Sequence, residues 1–210
     1  FHADGAVLIK GLLSDWIDVI RKGIERNIVD PGPYAAENLK PGEPGRFFED
    51  YCNWRRIPEF EAFVFQSEIG WISAQLMRSK SAQMFHDHVL VKEPGTEKAT
   101  PWHQDTPYYF VGGSQTVSFW CPIDPVSDAT LRCVAGSHLW EKLVLPTRWL
   151  SEENFYPDED AYLPIPDPDR EPDTYRVLEW EMEPGDTIAF HFRTLHGARG
   201  NHATERRRAC

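Results

Sequence analysis

Five consecutive residues, Pro101-Trp102-His103-Gln104-Asp105, carry the densest chemical signal in the chain. His103 and Asp105 are two residues apart, so on a strand they share a face. A neutral imidazole beside a carboxylate is half of a metal site. The segment Phe190-His191-Phe192-Arg193-Thr194-Leu195-His196-Gly197 offers the other imidazole in His196, 91 residues beyond Asp105. That separation suits ligands brought from well-separated strands of one barrel. Two His and one carboxylate on one face of an octahedral ion form the facial triad of non-haem Fe(II) oxygenases, which leaves positions free for a co-substrate and O2. Taken alone, HxD is a weak pattern and reads as a surface hydrogen-bonded pair. Its place after a strand, the second His after a late strand, and the Arg cluster that follows all favour a metal. An anionic co-substrate chelating that metal needs an Arg for its far carboxylate.

The elements that must position these residues follow from periodicity. Ala6-Val7-Leu8-Ile9 reads as a short strand closed by Gly11. Ser14 is placed to cap a helix in which Trp16, Ile17, Ile20, Ile24 and Ile28 recur at helical spacing, ended by Pro31-Gly32-Pro33. A second helical pattern runs from Ser67 through Ile69, Ile72 and Leu76. After about Ser81 the character changes to short apolar runs bounded by Pro, Gly and Asp: Gln83–Val91, Thr116–Ile123, Leu131–Val134, Tyr175–Trp180 and Thr187–Phe192. Such spacing indicates an all-β sandwich or barrel flanked by the N-terminal helices. Glu183-Pro184-Gly185-Asp186 is a turn between the last two runs.

The 210 residues suffice for one domain with a sizeable core and are too few for two separate ones. No run of eighteen apolar residues exists, so no membrane-spanning helix is expected. The N-terminal FHADGAVLIKG has no basic stretch followed by an apolar core, so no signal peptide is expected and the chain is placed in the cytoplasm. Cys52, Cys121, Cys133 and Cys210 show no CxxC or zinc spacing and are read as reduced thiols. Of the net charge of −11, −8 falls between Ser151 and Thr174, where nine acidic residues and five Pro surround one Arg. With only Arg206-Arg207-Arg208 as a basic run, no nucleic-acid partner is expected.

Together these runs, LVKEPGTEKATPWHQDTPYYF, LRCVAGSH and EPGDTIAFHFRTLHGARGN followed by RRRA, resemble the phytanoyl-CoA dioxygenase family of Fe(II)/2-oxoglutarate oxygenases over nearly the whole chain. The resemblance implies a double-stranded β-helix, or jelly roll, of the cupin type. It implies a single dioxygenase domain over 1–210, with a helical part to about 80, the β core from about 81, and the acidic insertion at about 151–174. It also implies iron held by His103, Asp105 and His196, with 2-oxoglutarate and O2 as co-substrates and a small molecule as substrate. The family's 2-oxoglutarate-binding Arg falls at Arg207, and strand alternation turns Arg206 and Arg208 away from it. Gln104, Trp120 and His88 match positions that line the co-substrate pocket in relatives. Related halogenases carry a small residue where Asp105 stands, so hydroxylation of an unactivated C–H bond is the expected outcome. Ala198 departs from relatives that place a hydroxyl there, and the end of the sequence after Arg208 leads us to expect an open barrel edge.

Other residues receive plainer readings. His86 and His88 repeat HxH spacing without a third ligand, so one inward His and no second metal are expected. His191 is expected to be structural and His138 to belong to a turn. The aromatic group Trp102, Tyr108, Tyr109 and Phe110 is either core or pocket lining, and Arg55-Arg56 is either a solvated face or supplies one Arg for a substrate anion. The acidic segment is expected to be a mobile lid, with Trp149, Phe155 or Tyr156 meeting the pocket mouth. Two other functions fit the residues: a cupin-like Zn2+ or Mn2+ isomerase or hydrolase, which needs no Arg207, and a non-catalytic jelly-roll binding protein.

Overall fold

The computed structural model describes residues 1–157 and 159–210. Eleven short strands and three helices are assigned among them. In chain order they are β1 (Ala6–Ile9), α1 (Ile17–Val29), β2 (Ala36–Glu37), β3 (Phe47–Tyr51), α2 (Pro58–Gln66), α3 (Ile69–Leu76), β4 (His88–Lys92), β5 (Thr100–His103), β6 (Ser118–Trp120), β7 (Leu131–Val134), β8 (Val177–Leu178), β9 (Thr187–Phe190), β10 (His196–Ala198) and β11 (Arg207–Ala209). All strand pairs are antiparallel, in the orders β1-β9-β6, β5-β10-β7-β8 and β11-β4-β3-β2. This is the jelly roll that the resemblance implies.

The first and third sheets run on into one another. Just past β6, Cys121 and Cys210 exchange backbone hydrogen bonds (2.8 and 3.0 Å), and the Ile123 amide donates to the Arg208 carbonyl. β11 is therefore bonded on both flanks, and the expected open edge is absent. The N-terminal part is also less purely helical than the sequence suggested, because β1 pairs with β9 and β3 with β4. The acidic residues Glu49 and Asp50 mask β3 in the hydropathy pattern.

α1 turns Ile17, Ile20 and Ile24 onto Phe48, Val89 and Val91, the outer residues of β3 and β4. Burying each such Ile stabilises the fold by roughly 1.5–3 kcal/mol. Ser14 does not cap this helix: its hydroxyl donates to the Gly11 carbonyl, and a 3-10 turn (Ser14–Trp16) precedes α1. A second core lies between the sheets, built from Trp120, Leu131, Cys133, Ile188, Phe190 and Ala209. Alternation along β4 sends Val89 and Val91 to the helices, and His88, Leu90 and Lys92 to the barrel interior.

No helix among the described residues is long and apolar enough to cross a membrane. All four cysteines are free thiols.

Candidate metal centre and anion site

β5 and β10 pair with His103 directly opposite His196, so the two imidazoles meet with ring centres 4.1 Å apart. The pairing is irregular past His196, and Gly197 sits at the irregularity. A Cβ there would lie 3.0 Å from the Thr100 carbonyl oxygen, so glycine lets the strands approach here without pushing that backbone aside. Asp105 is reached differently from the strand alternation that the sequence implied. β5 ends at His103, and Asp105 stands at the start of a 3-10 turn, Thr106–Tyr108. The amides of Asp105 and Thr106 both donate to the Phe192 carbonyl (2.9 and 3.1 Å), which ties this turn to the loop before His196.

Asp105 Oδ1 lies 3.8 Å from His103 Nε2 and 3.6 Å from His196 Nε2. Among the described residues these three are the one group whose ligand atoms converge as a metal requires, all within 4.8 Å of one another. Each imidazole is oriented from behind. His103 Nδ1 lies 2.8 Å from the Pro101 carbonyl, and His196 Nδ1 lies 2.9 Å from that of Thr194. A carbonyl only accepts, so both Nδ1 atoms carry the proton and both Nε2 lone pairs face Asp105. Burial holds both rings neutral, pushing His103 down to about 3 and His196 to about 4. The residues therefore fit a divalent ion: two neutral imidazoles and one carboxylate oxygen.

Ser118 donates to the other oxygen, Asp105 Oδ2, at 3.0 Å. Burial raises the Asp105 carboxyl, while the imidazoles and this hydroxyl oppose the rise. Ser118→Ala should therefore move the acid limb of metal binding to higher pH, since the ligand is the carboxylate. Affinity at neutral pH should fall by roughly 10–100-fold, the usual consequence of losing an outer-shell partner. Metal titrations between pH 5 and 8 check this; an unshifted profile would show the bond to be incidental.

Ser118 and Trp120 share one face of β6, and Trp120 carries the next feature. The Arg207 guanidinium lies over the Trp120 ring, 5.7 Å from its centre. Arg207 is 3% exposed, and its Nε and Nη2 have no hydrogen-bond partner. Burial pushes it down to about 10. Its neighbours are paired on the outer side: Arg206 with Glu93, and Arg208 with Asp124 and Glu25. A buried guanidinium without a counter-ion is a costly arrangement that an anionic ligand completes.

The remaining expected pocket residues divide. His88 lies beside the site, its Nε2 3.0 Å from Glu49 Oε2 and its ring stacked on Trp149. Gln104 does not line the pocket with a free amide. It is 1% exposed, its Nε2 donates to the Arg193 carbonyl, and its Oε1 accepts from the Val144 amide. It ties its own segment, next to Asp105, to the loop before His196 and to the Val144 backbone. Ser137 braces the same region, donating to the Val134 carbonyl and accepting from the Leu195 amide. His191 is engaged with Ser114, Thr116 and the Arg193 amide, outside the triad.

The aromatic group also divides. Tyr109 packs edge-on against Phe85, His86 and Phe192, and burial followed by the nearby Asp105 charge pushes its hydroxyl well above the usual value. Trp102 packs with Val134, Val144 and Leu195 on the core side, and Phe110 is 92% exposed. Trp149 stands edge-on to His103 at 5.1 Å. Phe155 rests on Tyr108, and Tyr156 donates to the Pro107 carbonyl at 3.1 Å. Phe155 and Tyr156 of the acidic segment thus meet the turn that follows Asp105, and Asp158 of that segment lies outside the described residues. A separate groove of about 660 Å³, lined by Glu25, Arg26, Val29, Asp30, Arg56 and Pro58, touches none of these groups.

Fold and site define a class: jelly-roll proteins with a His-Asp-His cluster fit for a metal and a buried, unpaired arginine tied to it through one strand. The model of one such family, "Phytanoyl-CoA dioxygenase (PhyH)", matches residues 1–209, and the chain belongs to that family. A search of curated proteins gives no match. Among solved structures, the non-heme alpha ketoglutarate dependent carbocyclase SnoK from nogalamycin biosynthesis superposes with a TM-score of 0.75 at 22% identity, covering 99% of this chain and 78% of that one. The epimerase SnoN in complex with Fe3+, alpha ketoglutarate and nogalamycin RO gives 0.76 at 18% identity, covering 99% and 77%. EctD from S. alaskensis with 2-oxoglutarate and 5-hydroxyectoine gives 0.72 at 14% identity, covering 99% and 70%.

Ser118, Lys92 and Glu49 carry no site motif in the sequence. Lys92 had a signal: it stands two and four residues from Leu90 and His88, so alternation turns it inward.

Proposed function

We propose that this protein is an Fe(II)- and 2-oxoglutarate-dependent dioxygenase that hydroxylates an unactivated C–H bond of a small molecule. One observation carries the reading: the convergent His103, Asp105 and His196 and the unpaired, buried Arg207 guanidinium are joined through one strand, whose Ser118 bonds Asp105 and whose Trp120 lies under Arg207. A cupin-like Zn2+ or Mn2+ hydrolase or isomerase that takes no oxo acid does not need that guanidinium. Bound iron, with 2-oxoglutarate and O2, supplies the oxidant, and 2-oxoglutarate leaves as succinate and CO2.

The chain's own residues supply placement. His103, Asp105 and His196 hold one face of the ion and leave the other face for co-substrate. Arg207 takes the distal carboxylate and so orients the oxo acid toward the metal, while Trp120 walls that pocket. Tyr109 and Phe192 bound the Asp105 side with apolar rings, and Trp149 covers His103, which limits water at the reacting carbon. The free thiols suit a reducing, cytoplasmic setting. Incubation with Fe(II), 2-oxoglutarate and a panel of small metabolites, read by succinate formation, tests the proposal. Succinate coupled to a hydroxylated product supports it; decay of a substrate without oxo-acid consumption would contradict it.

The acidic segment enters the same account as a cover. Replacing residues 153–172 by a short Gly linker removes the Phe155 and Tyr156 contacts. Iron binding should persist, while a larger share of 2-oxoglutarate is consumed without substrate oxidation. Equal coupling in both proteins would make the segment dispensable.

A further inference from the structure

β4 and β11 pair so that Lys92 lies directly opposite Arg207, and both side chains enter the barrel interior. Lys92 is 0% exposed. Its ammonium has three N–H donors, and one of them reaches the Arg199 carbonyl at 3.0 Å. The ammonium lies over the Phe47 ring at 4.5 Å. Among the described residues neither Lys92 nor Arg207 has a salt-bridge partner. The carboxylates nearby are committed elsewhere: Glu93 to Arg206, and Asp124 to Arg208. Two cations facing one another in a dry interior repel, and a fold gains nothing from that unless an anion joins them. A single carbonyl is not a sufficient partner for an ammonium, since a neutral amide would satisfy it at less desolvation cost.

We propose that Lys92 is a second cation for the distal carboxylate of the oxo acid, and that Lys92 and Arg207 together restrict the co-substrate to dicarboxylic oxo acids. This inference rests on the co-substrate reading above and adds a residue that sets its specificity. Burial and the Arg207 charge hold the ammonium well below its usual range, in keeping with a group that gains its counter-ion on binding.

Calorimetry on the Mn(II)-loaded, anaerobic protein separates the roles without turnover. The probes are 2-oxoglutarate and 2-oxopentanoate, which has the same chain length but a methyl group in place of the distal carboxylate. The wild type should prefer 2-oxoglutarate strongly. Lys92→Met should weaken 2-oxoglutarate by about 10–100-fold, the scale of a hydrogen bond to a charged group. Its 2-oxopentanoate affinity should change less than about twofold, and its melting temperature should hold or rise as a buried charge is removed. Lys92→Gln, which can still donate to the Arg199 carbonyl, should show the same selective loss and serves if the Met variant fails to fold. A lowered melting temperature with an undiminished preference for 2-oxoglutarate would make Lys92 a brace and overturn the proposal. A wild type without that preference would overturn the co-substrate reading itself, and this inference with it.

Discussion

Asp105→Asn should abolish metal binding while leaving the metal-free fold as stable as before. The buried carboxylate has no cation beside it in the metal-free protein, and burial already raises its pKa. An isosteric neutral group removes that desolvation cost, and Ser118 retains an oxygen to which it can donate. Metal present at about 100 times its dissociation constant stabilises a protein by about 2.7 kcal/mol. For a domain of this size that corresponds to a rise in melting temperature of roughly 5–10 °C. The wild type should show this rise with Mn(II) or Fe(II), and the variant should show less than about 1 °C. A variant that retains the full rise would remove Asp105 from the ligand set.

Arg207→Met gives the second large effect, on the oxo acid instead of the metal. Removing one partner of a buried charge pair costs about 3–5 kcal/mol, which is roughly 10²- to 10³-fold or more in affinity. The midpoint for 2-oxoglutarate should rise by that factor, while the metal-induced rise in melting temperature stays as in the wild type. The metal-free variant should be no less stable, because it loses an unpaired buried guanidinium. An unchanged midpoint would shift the role to Arg206 or Arg208, both of which face outward toward carboxylates.

The triad was legible in the sequence because its chemistry resides in residue types that few other roles require at that spacing. The route to it was not. His103 ends a strand and Asp105 opens a 3-10 turn, and the Phe192 carbonyl that fixes this turn is invisible in any pattern. β7, from Leu131 to Val134, was fully legible as an apolar run buried on both faces. β3 was not, because Glu49 faces inward to His88 and Asp50 accepts from Asn27 and the Gly32 amide. α2 escaped notice because Phe60, Ala62, Val64 and the intervening Phe63 and Phe65 show no clean helical period. Gln104 had the right type for a pocket and the wrong partners, since both ends of its amide serve backbone groups. Ser118 and Lys92 are ordinary residues whose meaning comes only from what the sheet pairs with them.

The central claim is that His103, Asp105 and His196 hold iron within reach of an oxo acid held by Arg207. Anaerobic titration of 2-oxoglutarate into the Fe(II) protein tests it most directly. Chelation of the iron by the oxo acid produces a visible metal-to-ligand absorption band. The wild type should develop that band to a one-to-one endpoint, Arg207→Met should require far more oxo acid, and Asp105→Asn should show none. A wild-type protein that binds iron and stays colourless at saturating 2-oxoglutarate would contradict the account.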